Sequence, residues 1–258
     1  GYLADKGART LTTGTASGDK AVLVQHGYNQ YLEGKSLYID IVSSLGPQKT
    51  GLVSRIGYFD ADNGFFFRQT ATDIFVETRS NVSGTPTIIT SAQRSAWNLD
   101  TLDGNGASGA NVDFTQFGRL IIATQGITGK TRFGVDIGGE VIFCHEINLT
   151  FDQDGPYLER ISLPVRWEIE NVGAVADATT IELQSCAVKC EGSYNVLGFP
   201  FSAAAGANSR TINSRYSILA IRIKTLFGPG NKTPRGLIKL TELTILSESD
   251  LHYEIVLQ

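Results

Sequence analysis

Three cysteines and a histidine are the residues best suited to bind a metal. Cys144-His145-Glu146 lies in an apolar run, and Cys186 and Cys190 are separated by three residues. On a strand, alternation sends Cys144 and Glu146 to one face and His145 to the other, so they converge on one ion only if there is a bulge. The cysteine spacing also departs from the two-residue knuckle of structural zinc sites. We therefore predict no metal site and expect buried, free thiols, with Cys144 in the core.

Two acidic stretches resemble fragments of calcium-binding loops, in which alternating carboxylates supply oxygen ligands. They are Asp60-x-Asp62-x-Gly64 and Asp152-x-Asp154-Gly155. The first ends in Asn-Gly between strand-like segments and is better explained as a hairpin turn. The second lacks the distal glutamate that completes such a loop. A structural calcium at either place is the alternative to a turn.

Hydrolytic chemistry would need a nucleophile with a base, or two facing carboxylates. The three histidines, His26, His145 and His252, lie in no serine or cysteine nucleophile motif. Glu168 and Glu170 share one strand face, where solvent-facing salt bridges explain them equally well. We predict no catalytic residue and no cofactor, and we do not expect an enzyme.

Aromatic side chains on the loops of a β-sandwich are a means of stacking on sugar rings. Trp97 lies in a polar, Asp-rich stretch, which leaves it undecided between core and surface. Trp167 shares one face of an alternating segment with Val165, which favours core packing. Tyr157 and Tyr194 are further aromatics that a sugar- or receptor-binding module could use.

Strand patterns dominate the elements that must position these residues. Residues 35–42 and 217–224 alternate polar and apolar positions and are rich in β-branched side chains. Clusters of Gly, Asn, Asp and Pro between such segments are typical of tight turns. The best helical candidate, residues 113–117, is at most one turn leading into a strand. We predict an all-β fold, a two-sheet antiparallel β-sandwich of jelly-roll type with little helix.

Length and composition bound the domain organisation and the partners. Residues 1–29, rich in Thr, Gly and Ser, are predicted to form an N-terminal arm on the body or on a neighbouring subunit, and residues 30–258 a β-sandwich domain that can be part of a longer chain. Charged residues are 19% and the net charge is −4, which gives no basic field for a nucleic acid. No apolar run approaches the roughly 20 residues of a membrane helix, so no membrane insertion is expected.

Several segments in consistent order resemble one known family over roughly residues 30 to 258. They are Ser54-Arg55-Ile56-Gly57-Tyr58-Phe59-Asp60, Trp97-Asn98-x-Asp100-x-Leu102-Asp103-Gly104-x-Gly106-x-Ser108-Gly109 with Asp113, Arg132-Phe133-Gly134 with Cys144-His145-Glu146, Leu163-Pro164-Val165-Arg166-Trp167-Glu168-Ile169 with Cys186 and Cys190, and residues 219–224 with Tyr253-Glu254. This set is similar to virion structural proteins encoded by tailed bacteriophages of aquatic bacteria and by some large viruses of algae. Trp167 departs from the family, whose members tend to carry tyrosine there.

The resemblance implies a non-enzymatic virion structural protein at the particle surface: a capsid decoration, fibre, spike or minor coat component. Its partners would be copies of itself, through homo-oligomeric β-sandwich contacts, and other virion proteins. The alternative is a carbohydrate- or host-receptor-binding module that recognises a host-surface glycan. The Gly-rich loop at 100–113 is expected to form a rigid contact surface, because its carboxylates and amides can bond their own backbone or a neighbour. The ligand or interface contacts we predict are Trp97, Asn98, Asp100, Asp103, Asp113, Tyr157 and Tyr194.

Overall fold

The structure is a computed structural model that describes residues 1–5, 7–29, 31–32, 34–126, 129–150 and 155–191. The chain divides into two compact units, Gly1–Val196 and Leu197–Gln258. The second unit lies outside the described residues, and so do the strand predicted at 217–224, the acidic pair Asp152 and Asp154, and Tyr194.

The described part is built almost entirely from strands. A single 3-10 turn at Arg94–Ala96 is its only helical element. In chain order the strands are β1 (Tyr2–Leu3), β2 (Ala8–Thr13), β3 (Lys20–Val24), β4 (Leu37–Ser43), β5 (Leu52–Phe59), β6 (Gly64–Gln69), β7 (Ile74–Ser80), β8 (Thr87–Gln93), β9 (Gly118–Thr124), β10 (Lys130–Ile137), β11 (Glu140–Asn148), β12 (Val165–Asn171) and β13 (Thr179–Cys190).

These strands form two antiparallel sheets. The seven-stranded sheet has the order β1-β2-β13-β4-β9-β10-β11, and the six-stranded sheet has the order β3-β12-β5-β6-β7-β8. Hairpins connect β5 to β8 and β9 to β11, whereas β13, β4, β12 and β3 pair with strands far away in the sequence. The chain crosses repeatedly between the sheets, as in a jelly roll, so the predicted fold class is confirmed.

The core lies between the sheets and is filled by alternate residues of each strand. Ile39 and Ile41 of β4 and Trp167 of β12 all point inward and are at most 3% exposed. The placement of Trp167 confirms its predicted core role. Each large apolar side chain buried in this way contributes about 1.5–3 kcal/mol, so the period-two pattern is the main determinant of the fold.

Residues of the predicted N-terminal arm lie on the body of the protein as strands. β2 pairs with β13 in one sheet, and β3 pairs with β12 in the other. The segment thus extends both sheets. Residues 113–117 form a turn that leads into β9, which confirms the prediction of no more than one helical turn.

An ion network holds the outer face of the six-stranded sheet. Glu168 contacts Arg55 at 2.8 Å, Lys20 at 2.9 Å and Arg166 at 2.5 Å. Glu170 also contacts Arg55, at 2.7 Å. The expectation of solvent-facing carboxylates is wrong for Glu168, which is only 1% exposed, because the three cations close over it.

The pKa of Glu168 reflects this network. Burial by itself would raise the pKa, but the hydrogen bonds from Arg166 and Lys20 and the charges of Arg166 and Arg55 outweigh burial and lower it from 4.5 to about 2. A depressed carboxylate pKa adds stability that is present above pH 4.5 and is lost as the pH falls towards 2.

Replacing Glu168 tests this contribution. We expect Glu168→Gln to lower the free energy of unfolding by about 3 kcal/mol at pH 7, because it leaves the mostly buried Arg166 without a counter-charge and removes one of the two carboxylates that pair with Arg55. Between pH 4.5 and 2 the unmodified protein should lose stability, and the variant should lose much less. Urea unfolding at pH 7, 4.5 and 2.5 measures both effects. The matched control is Glu170→Gln, which removes a more exposed carboxylate; equal losses in the two variants would contradict the assignment.

Candidate functional site

The loop between β8 and β9 is bound along the free edge of β11. The backbone N–H groups of Leu99 and Asp100 both donate to the Cys144 carbonyl, at 3.1 and 3.0 Å. The side chain of Asn98 donates to the Glu146 carbonyl at 2.9 Å and accepts from the Glu146 N–H at 2.8 Å. The loop therefore covers an edge strand that would otherwise present unpaired backbone groups.

A β-bulge lies at Cys144, where the loop docks. In the pairing of β10 with β11, Phe133 lies opposite His145 and Gly134 opposite Phe143, so Cys144 has no partner residue. Cys144 is fully buried, as predicted, and burial raises the pKa of its thiol. His145 accepts a hydrogen bond from the Asn98 N–H at 3.2 Å, and burial lowers its pKa.

Asp100 closes the loop on itself. Its two carboxylate oxygens accept the N–H groups of Leu102 and Ser108, at 2.8 and 2.7 Å. Burial acts to raise the pKa of Asp100, and these two hydrogen bonds outweigh it and lower the pKa. A Cβ atom at Gly106 would overlap the Asp100 carboxylate, which explains the glycine there. The expectation that the loop bonds its own backbone is confirmed.

Arg94 clamps the two ends of the loop together. It donates to the carbonyls of Thr101, Leu102 and Val112, and its guanidinium lies 5.5 Å from the ring centre of Phe114. Leu102 is fully buried at φ 54°, a conformation that costs a non-glycine residue about 1–2 kcal/mol and persists only where the surroundings impose it.

Two of the aromatics predicted to contact a ligand belong to the core. Trp97 is 5% exposed, donates its Nε1–H to the Ala92 carbonyl at 3.1 Å and packs edge-on against Phe114. Tyr157 is 3% exposed, and its hydroxyl lies 2.8 Å from the Gly126 carbonyl. The ligand role predicted for both is corrected, because a buried ring offers no face to a sugar.

The remaining predicted positions divide between turns and one hollow. Asn98 and Asp100 act within the fold as described above, and Asp103 is exposed and bonds Thr101 and Asn105 of its own loop. Asp113 lines a hollow described below. Among the described residues, no group of three or more His, Cys, Asp and Glu is placed to hold a metal ion.

The first acidic motif is the predicted hairpin turn between β5 and β6. Oδ1 of Asp60 accepts the N–H groups of Asp62 and Asn63 at 2.9 and 2.8 Å. Arg160 contacts both carboxylates, at 3.0 Å for Asp60 and 2.5 Å for Asp62. A guanidinium therefore occupies the position that a calcium ion would need.

Two adjacent hollows lie at the end of the seven-stranded sheet, and we name them together the Phe117 groove. They measure about 350 and 270 Å³ and share a wall formed by Gln116 and Phe117. Polar residues of the first hollow include Asp113, Arg119 and Asp136. The second is lined mainly by polar side chains, which are Ser44, Thr115, Thr180 and Glu182 besides Gln116.

Phe117 is held outward by a turn that is anchored inside the protein. Asp113 accepts hydrogen bonds from the N–H and the hydroxyl of Thr115, at 2.9 and 2.7 Å, which fixes the turn. Phe114 is 4% exposed and packs against Phe67 and Trp97 in the core. Three residues further on, Phe117 is 41% exposed at the rim.

Arg119 connects the groove to the outer face of the seven-stranded sheet. It pairs with Asp40 through two nitrogens, one of them at 2.8 Å, and with Asp136 at 2.8 Å. The hydrogen bonds from Arg119 to Asp40 and the charges of both carboxylates raise the pKa of Arg119 above its ordinary value. The guanidinium thus remains charged, with 44% of its side chain exposed.

Sequence reasoning missed Phe117, Gln116 and Arg119. The available signal was the pair Phe114 and Phe117 in one short turn before a strand. The spacing of the two aromatics does not say which of them is buried. Only the contacts of the turn decide which one.

No protein-family model and no curated protein matches the chain. Similar solved structures include β-agarase A in complex with oligoagarose, at TM-score 0.45 and 10% identity, covering 69% of this chain and 72% of that chain. A legume lectin-like domain from Entamoeba histolytica has a TM-score of 0.39 and 10% identity, covering 72% of this chain and 90% of that chain. Botulinum neurotoxin type C, whose cell entry depends on two ganglioside molecules, has a TM-score of 0.41 and 11% identity, covering 70% of this chain and 38% of that chain. The match spans well under half of the toxin chain. At these TM-scores and identities the likenesses assign no function to this chain.

No helix among the described residues has the length and hydropathy of a membrane span.

The internal closure of the loop can be tested at Asp100. We expect Asp100→Ala to lower the free energy of unfolding by about 2 kcal/mol, because the N–H groups of Leu102 and Ser108 lose their acceptor. Amide hydrogen exchange should accelerate at these two positions. The matched control, Asp103→Ala, removes an exposed carboxylate of the same motif and should leave both readouts nearly unchanged. Similar effects of the two variants would overturn the distinction.

Proposed function

We propose that this chain is a non-catalytic carbohydrate-recognition module that binds a glycan in the Phe117 groove. The observation that carries the proposal is an exposed aromatic ring, Phe117, that lines two adjacent hollows, one of mixed polar and apolar lining and one mainly polar. This is the carbohydrate-binding alternative drawn from the sequence. The sugar-stacking role is now assigned to Phe117 instead of Trp97 and Tyr157.

The chemistry of the groove suits a sugar ring. The apolar face of Phe117 can pack against the C–H face of a pyranose, as aromatic rings do at interfaces. Around it, the amide of Gln116 and the hydroxyls of Thr115 and Thr180 can exchange hydrogen bonds with sugar hydroxyls. Open hollows of this size suit one or two units of a chain better than an enclosed small molecule.

The rigidity of the groove also favours binding. The turn that carries Phe117 is fixed by Asp113 and by the burial of Phe114. A turn that is fixed before the ligand arrives avoids the entropy cost of ordering that backbone on association.

The carboxylates of the described residues support a non-catalytic role. Asp40 and Asp136 both pair with Arg119, and Glu168 pairs with Arg55. A glycosidase acid needs a carboxyl group whose pKa is raised so that it keeps a proton. Glu168 has the opposite shift, because its cationic partners stabilise the ionised form.

The place of action that we propose is the surface of a virus particle. The support for it is the resemblance of the Ser54–Asp60 and Trp97–Asp113 segments to virion structural proteins. A glycan-binding module on a particle would serve attachment to a host-surface glycan, which unites the two functions expected from the sequence.

A second candidate function, a homo-oligomeric structural component, is favoured by the edge strand β8. It contains no charged residue, and Ile88 is 44% exposed. The Nε1–H of Trp97 donates to the Ala92 carbonyl, near the end of β8. The part of this edge that is available for pairing therefore lies towards Thr87. Uncharged edge strands are templates for pairing with another chain, and a second copy would satisfy this one by antiparallel pairing.

Phe117 provides the test of glycan binding. We expect Phe117→Ala to weaken binding to the glycans recognised on an array by at least about tenfold, or 1.4 kcal/mol, because the stacking surface is lost. Its melting temperature should stay unchanged, since the ring is exposed. Tyr2→Ala, which removes another exposed ring, is the matched control. Equal binding by Phe117→Ala and the unmodified protein would sink the assignment of the groove.

Light scattering tests the oligomeric function. We expect a native mass that is a multiple of the 27.8 kDa chain mass. Ile88→Lys should shift the protein to monomer by placing a charge on the paired edge. Val172→Lys, at another exposed apolar position, should leave the mass unchanged. A strict monomer at micromolar concentration for the unmodified protein would refute this candidate.

A further inference from the structure

The outer face of the seven-stranded sheet separates its charges by depth. Four cations stand at the surface, with side-chain exposures of 32% for Lys130, 40% for Arg132, 44% for Arg119 and 59% for Lys189. The carboxylates that pair with them are less exposed: 7% for Asp40, 11% for Asp136 and 21% for Glu146. We name the four cations the cationic face. Although the chain has a net charge of −4, this face presents positive groups to solvent.

Strand register explains the separation. Arg119 lies directly opposite Asp136 on β10, and Asp40 is on the adjoining strand, β4. Arg132 likewise lies opposite Glu146 on β11. A short aspartate keeps its carboxylate near the sheet, whereas a long arginine or lysine carries its charge outward. Each pair therefore turns its cationic end to solvent.

Arg132 is prepared to receive an anion. Its Nε bonds Glu146 at 2.5 Å, and its guanidinium lies 5.6 Å from the ring centre of Phe143. These contacts fix the plane of the guanidinium, and within the described part of the chain its two terminal nitrogens have no hydrogen-bond acceptor. A fixed guanidinium whose two terminal nitrogens form one open edge matches the two oxygens of a carboxylate or a sulfate.

A second cation lies beside an aromatic on the same row of the sheet. Lys189 is 5.6 Å from the ring centre of Tyr38, and Tyr38 is half-buried. Lys189 and Arg132 lie in one row across four neighbouring strands, through Tyr38 and Ala123. Three strand spacings, about 14 Å, therefore separate them. A single small anion cannot reach both cations, whereas an extended chain with repeated negative charges can.

We propose that the glycan bound by this protein is an anionic polysaccharide, carrying carboxylate or sulfate groups, that runs from the Phe117 groove across the cationic face. The proposal rests on the glycan-binding function above and specifies its ligand. Arg119 gives the path its continuity, because it lines the groove and belongs to the cationic face. Tyr38 and Phe143 are partly exposed and offer sugar-packing surfaces beside the cations that bind the acidic groups.

The test compares charged and neutral polysaccharides, of which dextran sulfate and dextran share one backbone. Binding of the full chain to dextran sulfate, to polygalacturonate and to uncharged dextran is measured by calorimetry at 50 and 200 mM salt. We expect one or both charged polymers to bind at least tenfold more tightly than dextran and to weaken as salt rises. The charged polymer that binds identifies sulfate or carboxylate as the recognised group.

Variants then locate the site. Arg132→Gln and Lys189→Gln should each weaken binding of the charged polymer about three- to tenfold and reduce its salt dependence, with unchanged melting temperature. Lys49→Gln, a lysine in the turn before β5, is the matched control and should bind as the unmodified protein does. Arg119 is left intact, because its removal would leave Asp40 and Asp136 without their counter-charge.

Each outcome separates this inference from the function on which it rests. Equal binding of neutral and charged chains, with no effect of Arg132→Gln, would overturn the anionic ligand and leave glycan binding standing. Failure to bind any glycan, here and on the array, would overturn both. Tighter binding to a single-stranded DNA oligonucleotide than to either charged polysaccharide would overturn this inference in favour of a nucleic-acid surface.

Discussion

The Cys144 carbonyl at the β-bulge is the acceptor on which the candidate site depends. It receives two backbone N–H groups and so fixes where the loop leaves the edge of β11. From that point Asp100 closes the loop, Arg94 joins its two ends, and Phe114 enters the core. The exposure of Phe117 is the last consequence of this series, because its turn has one orientation once Phe114 is buried.

Both sheets use the same electrostatic arrangement with different results. In each, a carboxylate close to the sheet is covered by longer cationic side chains, as with Glu168 beneath Arg55 and Arg166, and Asp40 beneath Arg119. Around Glu168 the arginines are themselves mostly buried, so the network contributes to stability. Around Asp40 the cation is exposed, so its charge is available to a ligand. Depth in the fold, and not residue type, distinguishes a stabilising pair from a recognition surface.

The fold could be predicted because its main force is periodic in the sequence. Burial of alternate residues, as at Ile39 and Ile41, requires only that a strand has one apolar face. The same rule placed Trp167 correctly. It makes no prediction for Trp97 and Tyr157, which follow no strand pattern, because a loop aromatic is buried or exposed according to what folds over it. The polar neighbours of Trp97 left its position undecided, and its burial against Phe114 is visible only in the tertiary structure.

The sequence by itself determined the all-β class, the hairpin turn at Asp60, the buried Cys144 and the self-bonded loop at 100–113. Each of these depends on residues close together in the chain, whose spacing limits the geometry. Only the tertiary structure decided that Phe117 faces solvent, that Arg119 and Arg132 stand above their carboxylates, and that Lys189 lies in one row with Arg132. The pairing of Arg119 with Asp40 and the row from Lys189 to Arg132 join strands far apart in sequence. The depth of the charges and the exposure of Phe117 depend on what packs around them, and strand order and register are set by packing of the whole core, which no local pattern encodes.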